Sequence, residues 1–292
     1  MTSYLKIVCG VLIWAVINGL VVKDAGQVIA PTILGALMSL VGIILFLPRL
    51  ILKPLPQFTK EQKFYLLGLG LSAAINNSFF YTALAANDSS ANIASIVLVH
   101  YFAAILSVGW VALIPAFKEE LDKATMLSVG LGVAGLVIMI GNSWFKPEPW
   151  FYFAFLSAFF YSFEIVFSRK VKEVDPYFSS FTKLGFQLLL MPLVGLILGH
   201  SFAVPAGQLG YVGFAGLLLF ISFILVFSGM TKVPVKHFSV LGYLDRIGAI
   251  AIGRFYWGEK FGLNIWIGGL IMLLAEIPIL FSRRNSTKKE AN

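Results

Sequence analysis

Charged side chains and cysteine are scarce in this chain of 292 residues. Asp, Glu, Lys and Arg make up 12% of it, about half of the share that is typical of a soluble domain. The single cysteine, Cys9, cannot form an intrachain disulfide or a thiolate metal site by itself. The nucleotide and hydrolase motifs GxxxxGK[ST], HExxH, GxSxG and CxxC are also missing. These absences argue against an ATP-driven pump within the chain and against an enzyme, and we expect no metal and no cofactor.

Apolar sequence of membrane-spanning length is what the chain has in abundance, since 59% of its residues are hydrophobic. About ten windows of roughly 20 residues recur, which is the length that a helix needs to cross a hydrocarbon core of about 30 Å. They are Tyr4–Val22, Ile29–Leu47, Phe64–Leu84, Ala91–Ile114, Thr125–Gly141, Trp150–Ser168, Phe178–Gly199, Gln208–Met230, His237–Trp257 and Leu263–Phe281. The longest polar stretch, Pro48–Lys63, leaves no room for a soluble domain. We predict an all-α membrane protein with ten transmembrane helices.

The placement of basic residues predicts the orientation of these helices. If the N-terminus is cytoplasmic, nearly all loop Lys and Arg residues fall on the inner side, and only Lys23, Lys146 and Lys260 fall outside. This bias is the positive-inside pattern, so we expect both termini, including a polar tail over 283–292, to be cytoplasmic. Orientation then explains the net charge of +8, and we expect no nucleic-acid partner.

The two halves of the chain have a similar order of segments. Residues 81–119 and 223–261 each contain a helix, a very short polar turn, a long helix and a short charged turn before a Gly-rich closing helix. Five spans per half is an odd number, so the copies would enter the membrane from opposite sides, as in many secondary transporters. We therefore predict inverted repeats over 1–145 and 146–282. The alternative remains that any two windows rich in Leu, Ile and Gly look alike.

Short motifs in three spans resemble a known family. The first span contains LIWAVINGLVVKDAG, in which Trp14, Asn18 and Lys23 match; the fourth contains LVHYFAAIL, with His100 and Tyr101; and the ninth contains SVLGYLDRIGAI, with Tyr243, Leu244 and Asp245. In this order they resemble the two EamA-type halves of the drug/metabolite transporter superfamily. Ala104 and Arg246 stand where that family has prolines.

The resemblance implies ten helices with cytoplasmic termini and a central cavity. Helices one to four and six to nine would line this cavity, and helices five and ten would serve as packing scaffold. Members of the superfamily move amino acids, nucleotide derivatives, nucleotide-conjugated sugars and other small metabolites.

Ionisable residues within the apolar windows are the strongest candidates for function. Each costs about 2.5–3.5 kcal/mol at the bilayer centre, so such groups are usually paired, face a cavity or act in function. Arg246 could bind an anionic group with its planar fork, or could form a structural salt bridge to Asp245 or Glu164. Because neighbouring residues on a helix point about 100° apart, Asp245 and Arg246 are not expected to face one partner squarely.

Glu164 and His100 each allow two interpretations. Glu164 lies on a polar stripe with Tyr161 and could carry a coupling proton, or could pair with a nearby cation, Arg169 or Lys170. His100 could shuttle protons or bind substrate, or could be a hydrogen-bonded packing residue.

These considerations predict a site and a function. The predicted substrate-binding residues are Trp14, Asn18, Asn77, Phe80, His100, Tyr101, Tyr161, Tyr243 and Arg246, and the predicted coupling or ion-pair residues are Glu164 and Asp245. We predict a secondary transporter or facilitator for a small polar or zwitterionic, amino-acid-like metabolite, working by alternating access in a bacterial or archaeal cytoplasmic membrane. Export is the favoured direction, protons are the candidate coupling ion, and the protein is expected as a monomer or homodimer. The alternatives are an uptake carrier for a nucleotide-like or cofactor-like metabolite, and a non-transporting membrane subunit or lipid-modifying membrane enzyme.

Overall fold

The fold is built from helices throughout the part that the computed structural model describes. That part comprises residues 2–52, 57–86, 93–117, 123–141, 148–171, 174–230, 235–275 and 277–278, and no strand occurs in it. The long helices, numbered in chain order, are α1 Ser3–Ala25, α2 Pro31–Leu52, α3 Lys60–Leu84, α4 in two parts (Ile93–His100 and Phe102–Leu113), α5 Lys123–Ile140, α6 Pro149–Lys170, α7 Pro176–Ile197, α8 Leu209–Met230, α9 Val235–Phe255 and α10 Leu263–Leu274. The predicted all-α fold is confirmed.

Six helices are long and apolar enough to cross a membrane by length and composition. These spans are Ser3–Ala25, Pro31–Leu52, Ile93–Val111, Pro149–Ser168, Pro176–Ile197 and Ala206–Gly229, and two shorter apolar helices are Met126–Met139 and Leu263–Leu274. Helices α3 and α9 are of similar length but more polar, because α3 carries Asn76 and Asn77 and α9 carries Asp245 and Arg246. Polar side chains at this depth normally face the interior of a bundle, so α3 and α9 are the helices expected to position a site.

The polar stretch predicted over Pro48–Lys63 is shorter than expected. Helix α2 continues through Pro48 to Leu52, and α3 begins at Lys60. The start of α3 is a capping box, in which Thr59 and Gln62 each accept a backbone N–H of the other at 3.1 Å. The hydropathy windows do not include the last turn of α2 and the first turn of α3, because these turns contain charged residues. The helices nevertheless continue beyond the hydrocarbon core, where charged side chains reach water.

Two helices are interrupted near predicted site residues. In α1, Ile17–Val22 forms a π-helical segment that contains Asn18, a deviation that often marks functional sites. The indole N–H of Trp257 donates to the Gly19 carbonyl oxygen in this segment, at 2.7 Å. Helix α4 is interrupted at Tyr101, although Ala104 stands where the resembled family has a proline, so a proline at that position is not needed for the interruption.

Helices α5 and α10 pack against each other through glycine. A Cβ atom on Gly135 would lie 2.7 Å from the Gly268 carbonyl oxygen, and one on Gly268 would meet the backbone of Gly135. Small residues allow membrane helices to approach backbone to backbone. The amide of Asn264 adds a hydrogen bond to the Met139 carbonyl oxygen at 2.7 Å. This pair therefore has the character of packing scaffold.

Candidate functional site

Tyr101, at the interruption of α4, meets both charged residues of α9. Its hydroxyl donates to Asp245 Oδ2 at 3.0 Å, and the Arg246 guanidinium carbon lies 2.8 Å from the centroid of its ring. All three residues are buried. Asp245 and Arg246 can both contact Tyr101 because they bind different parts of its side chain. The Asp245 carboxylate accepts from the hydroxyl, and the Arg246 guanidinium lies over the π-face of the ring.

His100 lies within a stack of aromatic rings. Its ring centroid is 4.1 Å from that of Phe80 on α3 and 4.6 Å from that of Tyr161 on α6, with interplanar angles of 26° and 15°. Two nearly parallel rings at these distances must occupy opposite faces of the imidazole. Phe80, His100 and Tyr161, which are all predicted site residues, are thus brought together from three helices.

A chain of hydrogen bonds leads from His100 to Glu164. His100 Nδ1 is 2.7 Å from Ser157 Oγ, the Ser157 hydroxyl donates to Asn76 Oδ1 at 2.8 Å, and Asn76 Nδ2 donates to Glu164 Oε2 at 3.0 Å. Because the single hydroxyl hydrogen of Ser157 goes to Asn76, the His100 ring must donate from Nδ1. The chain crosses α4, α6 and α3, and every bond in it has one donor and one acceptor.

The ion-pair partner of Glu164 is Lys183 on α7. Lys183 Nζ lies 2.5 Å from Glu164 Oε1, and both side chains are less than a tenth exposed. The ammonium group also lies 4.9 Å from the ring centroid of Phe223 and 5.7 Å from that of Phe227, both on α8. Lys183 is not among the residues that the sequence predicts for the site.

The sequence suggests Arg169 or Lys170 as the partner of Glu164, but neither is spaced along α6 for this ion pair. Lys170 lies with its Nζ 5.9 Å from the ring centroid of Phe117, and the side chain of Arg169 is outside the described part. Both follow Glu164 by more than the three or four positions at which helical side chains become neighbours. The sequence could have identified Lys183 by the criterion that selects Asp245 and Arg246, because Lys183 is a charged residue within an apolar window.

The remaining predicted residues lie around this centre. Trp14 packs edge to face on Phe223, with ring centroids 5.9 Å apart, and Asn18 lies beside the Asp245 carboxylate. Asn77 is half-buried and meets Asn76 only through a long 3.5 Å contact, so Asn76 rather than Asn77 is the amide that joins the hydrogen-bonded chain. The side chain of Tyr243 lies outside the described residues.

The two ion-containing clusters surround one region. Glu164, Asp245 and Arg246 all act electrostatically on the phenol of Tyr161. Phe223 connects Lys183 to Trp14. Helices α1, α3, α4, α6, α7, α8 and α9 therefore meet here, and the buried charges of the described spans comprise two cations and two anions with no net charge.

One end of the bundle is tied by Glu259, in the turn after α9. Its carboxylate pairs with Lys23 at the end of α1 and accepts the backbone N–H of Ile93, the first residue of α4, at 2.9 and 3.1 Å. Lys23 also lies 5.6 Å from the ring centroid of Trp257. A single carboxylate thus links α1, α4 and α9, the helices that carry Asn18, Tyr101 and Arg246.

Comparisons with known proteins agree with this architecture. The model of the EamA-like transporter family matches residues 1–141 and 148–281. An uncharacterized transporter from Archaeoglobus fulgidus is 24% identical over 204 residues, which are 70% of this chain and 73% of that protein. One protein crystal structure superimposes with a TM-score of 0.63 and 20% identity, covering 97% of this chain and 98% of its own. At that identity the structural likeness shows the fold alone.

Proposed function

Because the chain belongs to the EamA-like transporter family, and is therefore a membrane transporter of small molecules rather than an enzyme, we propose that it is a secondary transporter or facilitator for a small zwitterionic, amino-acid-like metabolite. The observation that carries this proposal is the charge balance at the centre of the bundle. Lys183 and Arg246 are opposed there by Glu164 and Asp245.

A neutral set of buried charges suits a ligand with no net charge. Net charge added at this depth would be uncompensated, which is costly in a region of low dielectric constant. A zwitterion supplies one group for each sign: its carboxylate would meet the planar fork of Arg246, and its ammonium would meet Glu164 or Asp245. The phosphates of a nucleotide-like ligand would lack a matching excess of cations among the described buried residues. This favours the zwitterion over the nucleotide-like alternative.

The proposed mechanism is alternating access between two inverted repeats, 1–145 and 146–282, with both termini in the cytoplasm. In support, the two segments that match the family model fall within these bounds, and an odd number of spans per repeat requires inversion. The basic inner loops support the cytoplasmic placement of the termini. We further propose export from a bacterial or archaeal cytoplasm as the direction, which rests on the family resemblance.

A binding screen with matched probes tests the zwitterion proposal. We expect one or more of the standard L-amino acids to raise the melting temperature of the purified protein, because a ligand of the folded state stabilises it. The amine and the carboxylic acid that each lack one charged group of that amino acid should give no shift at the same concentration. An analogue that stabilises as well as the amino acid, or a folded protein that responds to none of the amino acids, would count against the proposal.

We further propose that the contacts of Glu259 with Lys23 and Ile93 close one end of the bundle and break during alternating access. We expect Glu259→Gln to open this end of the bundle more often, because it removes the ion pair with Lys23. Hydrogen bonds to a charged group contribute about 1.5–3 kcal/mol, so the open population should rise roughly 10-fold or more. The reporter is Val97→Cys in a Cys9→Ala background, since Val97 is 2% exposed and lies on α4 between Ile93 and Tyr101.

The measurement is the rate at which a membrane-impermeant maleimide labels this introduced thiol in nanodiscs, where both faces meet the reagent. Lys23→Gln should accelerate labelling as Glu259→Gln does, and Lys23→Arg should not. The matched control is Lys260→Gln, which neutralises an exposed neighbour of Glu259. Equal labelling rates in all variants would show that these contacts do not close the site.

A further inference from the structure

Lys183 is a charged residue of the centre to which neither the sequence nor the proposed substrate contacts give a role. It is 6% exposed, and its ammonium group is directed at Glu164 Oε1 between the aromatic rings of α8. A lysine at this depth is costly, and the carboxylate of Glu164 offsets that cost.

The hydrogen-bonded chain from Glu164 to His100 can run in two directions. In the arrangement observed, Asn76 donates to Glu164 Oε2 and accepts from Ser157, which accepts from His100 Nδ1. In the reverse arrangement a protonated Glu164 would donate to the Asn76 carbonyl oxygen, Asn76 would donate to Ser157, and Ser157 would donate to His100 Nδ1. The protonation state of Glu164 and the tautomer of His100 are therefore linked through two side chains.

Lys183 selects between these directions. It does so by its charge, because Glu164 Oε1 could accept from the ammonium in either direction. The positive charge beside Oε1 favours the carboxylate over the protonated acid, and Asn76 then donates to Oε2. Among the described residues, the phenols of Tyr81 and Tyr161 also lie near Glu164, and both are neutral at neutral pH. Lys183 is thus the one described cation in direct contact with Glu164.

We propose that Lys183 is a positioning residue that holds Glu164 as a permanent carboxylate and so keeps the hydrogen of the neutral His100 ring on Nδ1, with Nε2 as an acceptor. Glu164 is then a fixed anion of the centre rather than the carrier of a coupling proton. Within the proposed function, on which this last step rests, the fixed anion and the His100 Nε2 acceptor suit the ammonium end of a zwitterion.

Infrared and nitrogen NMR spectra of the lipid-reconstituted protein test this without a substrate. The difference spectrum between the wild type and Glu164→Gln should show the loss of a carboxylate band at neutral pH and no protonated-carboxyl band. In Lys183→Met a protonated-carboxyl band should appear that is absent from Lys183→Met/Glu164→Gln, and the His100 hydrogen should move from Nδ1 to Nε2. Lys183→Arg should retain both wild-type signatures. The signal of His100 is assigned by its loss in His100→Gln.

A protonated Glu164 in the wild type would overturn the proposal, as would a Lys183→Met spectrum with unchanged carboxyl and His100 signals. If Lys183→Met does not fold, the wild-type difference spectrum and the Lys183→Arg variant decide the question. Because neither readout needs transport, a failure here is distinct from a failure of the zwitterion proposal, which is tested by ligand binding.

Discussion

Replacing Arg246 with alanine is expected to reduce transport by at least about 100-fold. The guanidinium group is the one buried planar donor fork among the described residues of the centre, and each charge-assisted hydrogen bond that it would give a carboxylate contributes about 1.5–3 kcal/mol. The readout is counterflow, in proteoliposomes, of the amino acid that gives the largest thermal shift. If Arg246→Ala transports at the wild-type rate, Arg246 does not bind the substrate.

Loss of transport must be separated from loss of fold. Arg246→Ala leaves the Asp245 carboxylate at depth without its neighbouring cation, so it should also lower the melting temperature. The double variant Asp245→Asn/Arg246→Gln carries no such charge and should recover most of the stability while flux stays low. The matched control is Arg49→Gln, because Arg49 pairs with Asp175 at 2.8 Å in a partly exposed position, and its loss should leave flux unchanged.

Lys183→Met is expected to destabilise the protein strongly, because it removes one partner of the buried ion pair with Glu164. Breaking a buried ion pair by removal of one partner costs about 3–5 kcal/mol, because the Glu164 carboxylate loses its counter-charge and must be protonated to remain buried. The double variant Lys183→Met/Glu164→Gln should recover much of this free energy, since the glutamine amide still offers Asn76 an acceptor oxygen. The free energy of unfolding in bicelles, measured for the wild type, both single variants and the double variant, gives the coupling directly.

The size of this coupling distinguishes a buried ion pair from a superficial one. Arg49→Gln is again the comparison, because partly exposed pairs contribute about 1 kcal/mol or less. A loss of 1 kcal/mol or less in Lys183→Met, or a double variant no more stable than the single one, would mean that Lys183 and Glu164 are not energetically coupled in the folded protein.

The energetic cost of polar groups in a bilayer predicts much of this centre from sequence. The same criterion that selects Asp245, Arg246, Glu164 and His100 applies equally to Lys183, which lies within the apolar window Phe178–Gly199 but is not among the predicted site residues. Its pairing with Glu164 is not predictable, because helical periodicity identifies neighbours within one helix and not which face of α7 meets α6.

Helix phase limits the prediction in a second place. Asn76 and Asn77 are adjacent on α3 and equally polar, and the sequence-based prediction places Asn77 in the site. Asn76 is the one bonded to both Ser157 and Glu164, because the rotation of α3 about its axis depends on packing against α6. The interruption of α4 at Tyr101 is likewise unpredictable, since the sequence LVHYFAAIL around it contains no proline or glycine.

The most direct test of the central claim is counterflow of a radiolabelled amino acid into proteoliposomes preloaded with the same unlabelled compound. We predict that label accumulates only when the interior contains the amino acid, and that the corresponding amine and acid do not drive it. Absence of counterflow for every amino acid with protein that is folded and correctly reconstituted, or counterflow driven equally well by an analogue with one charged group, would contradict the account.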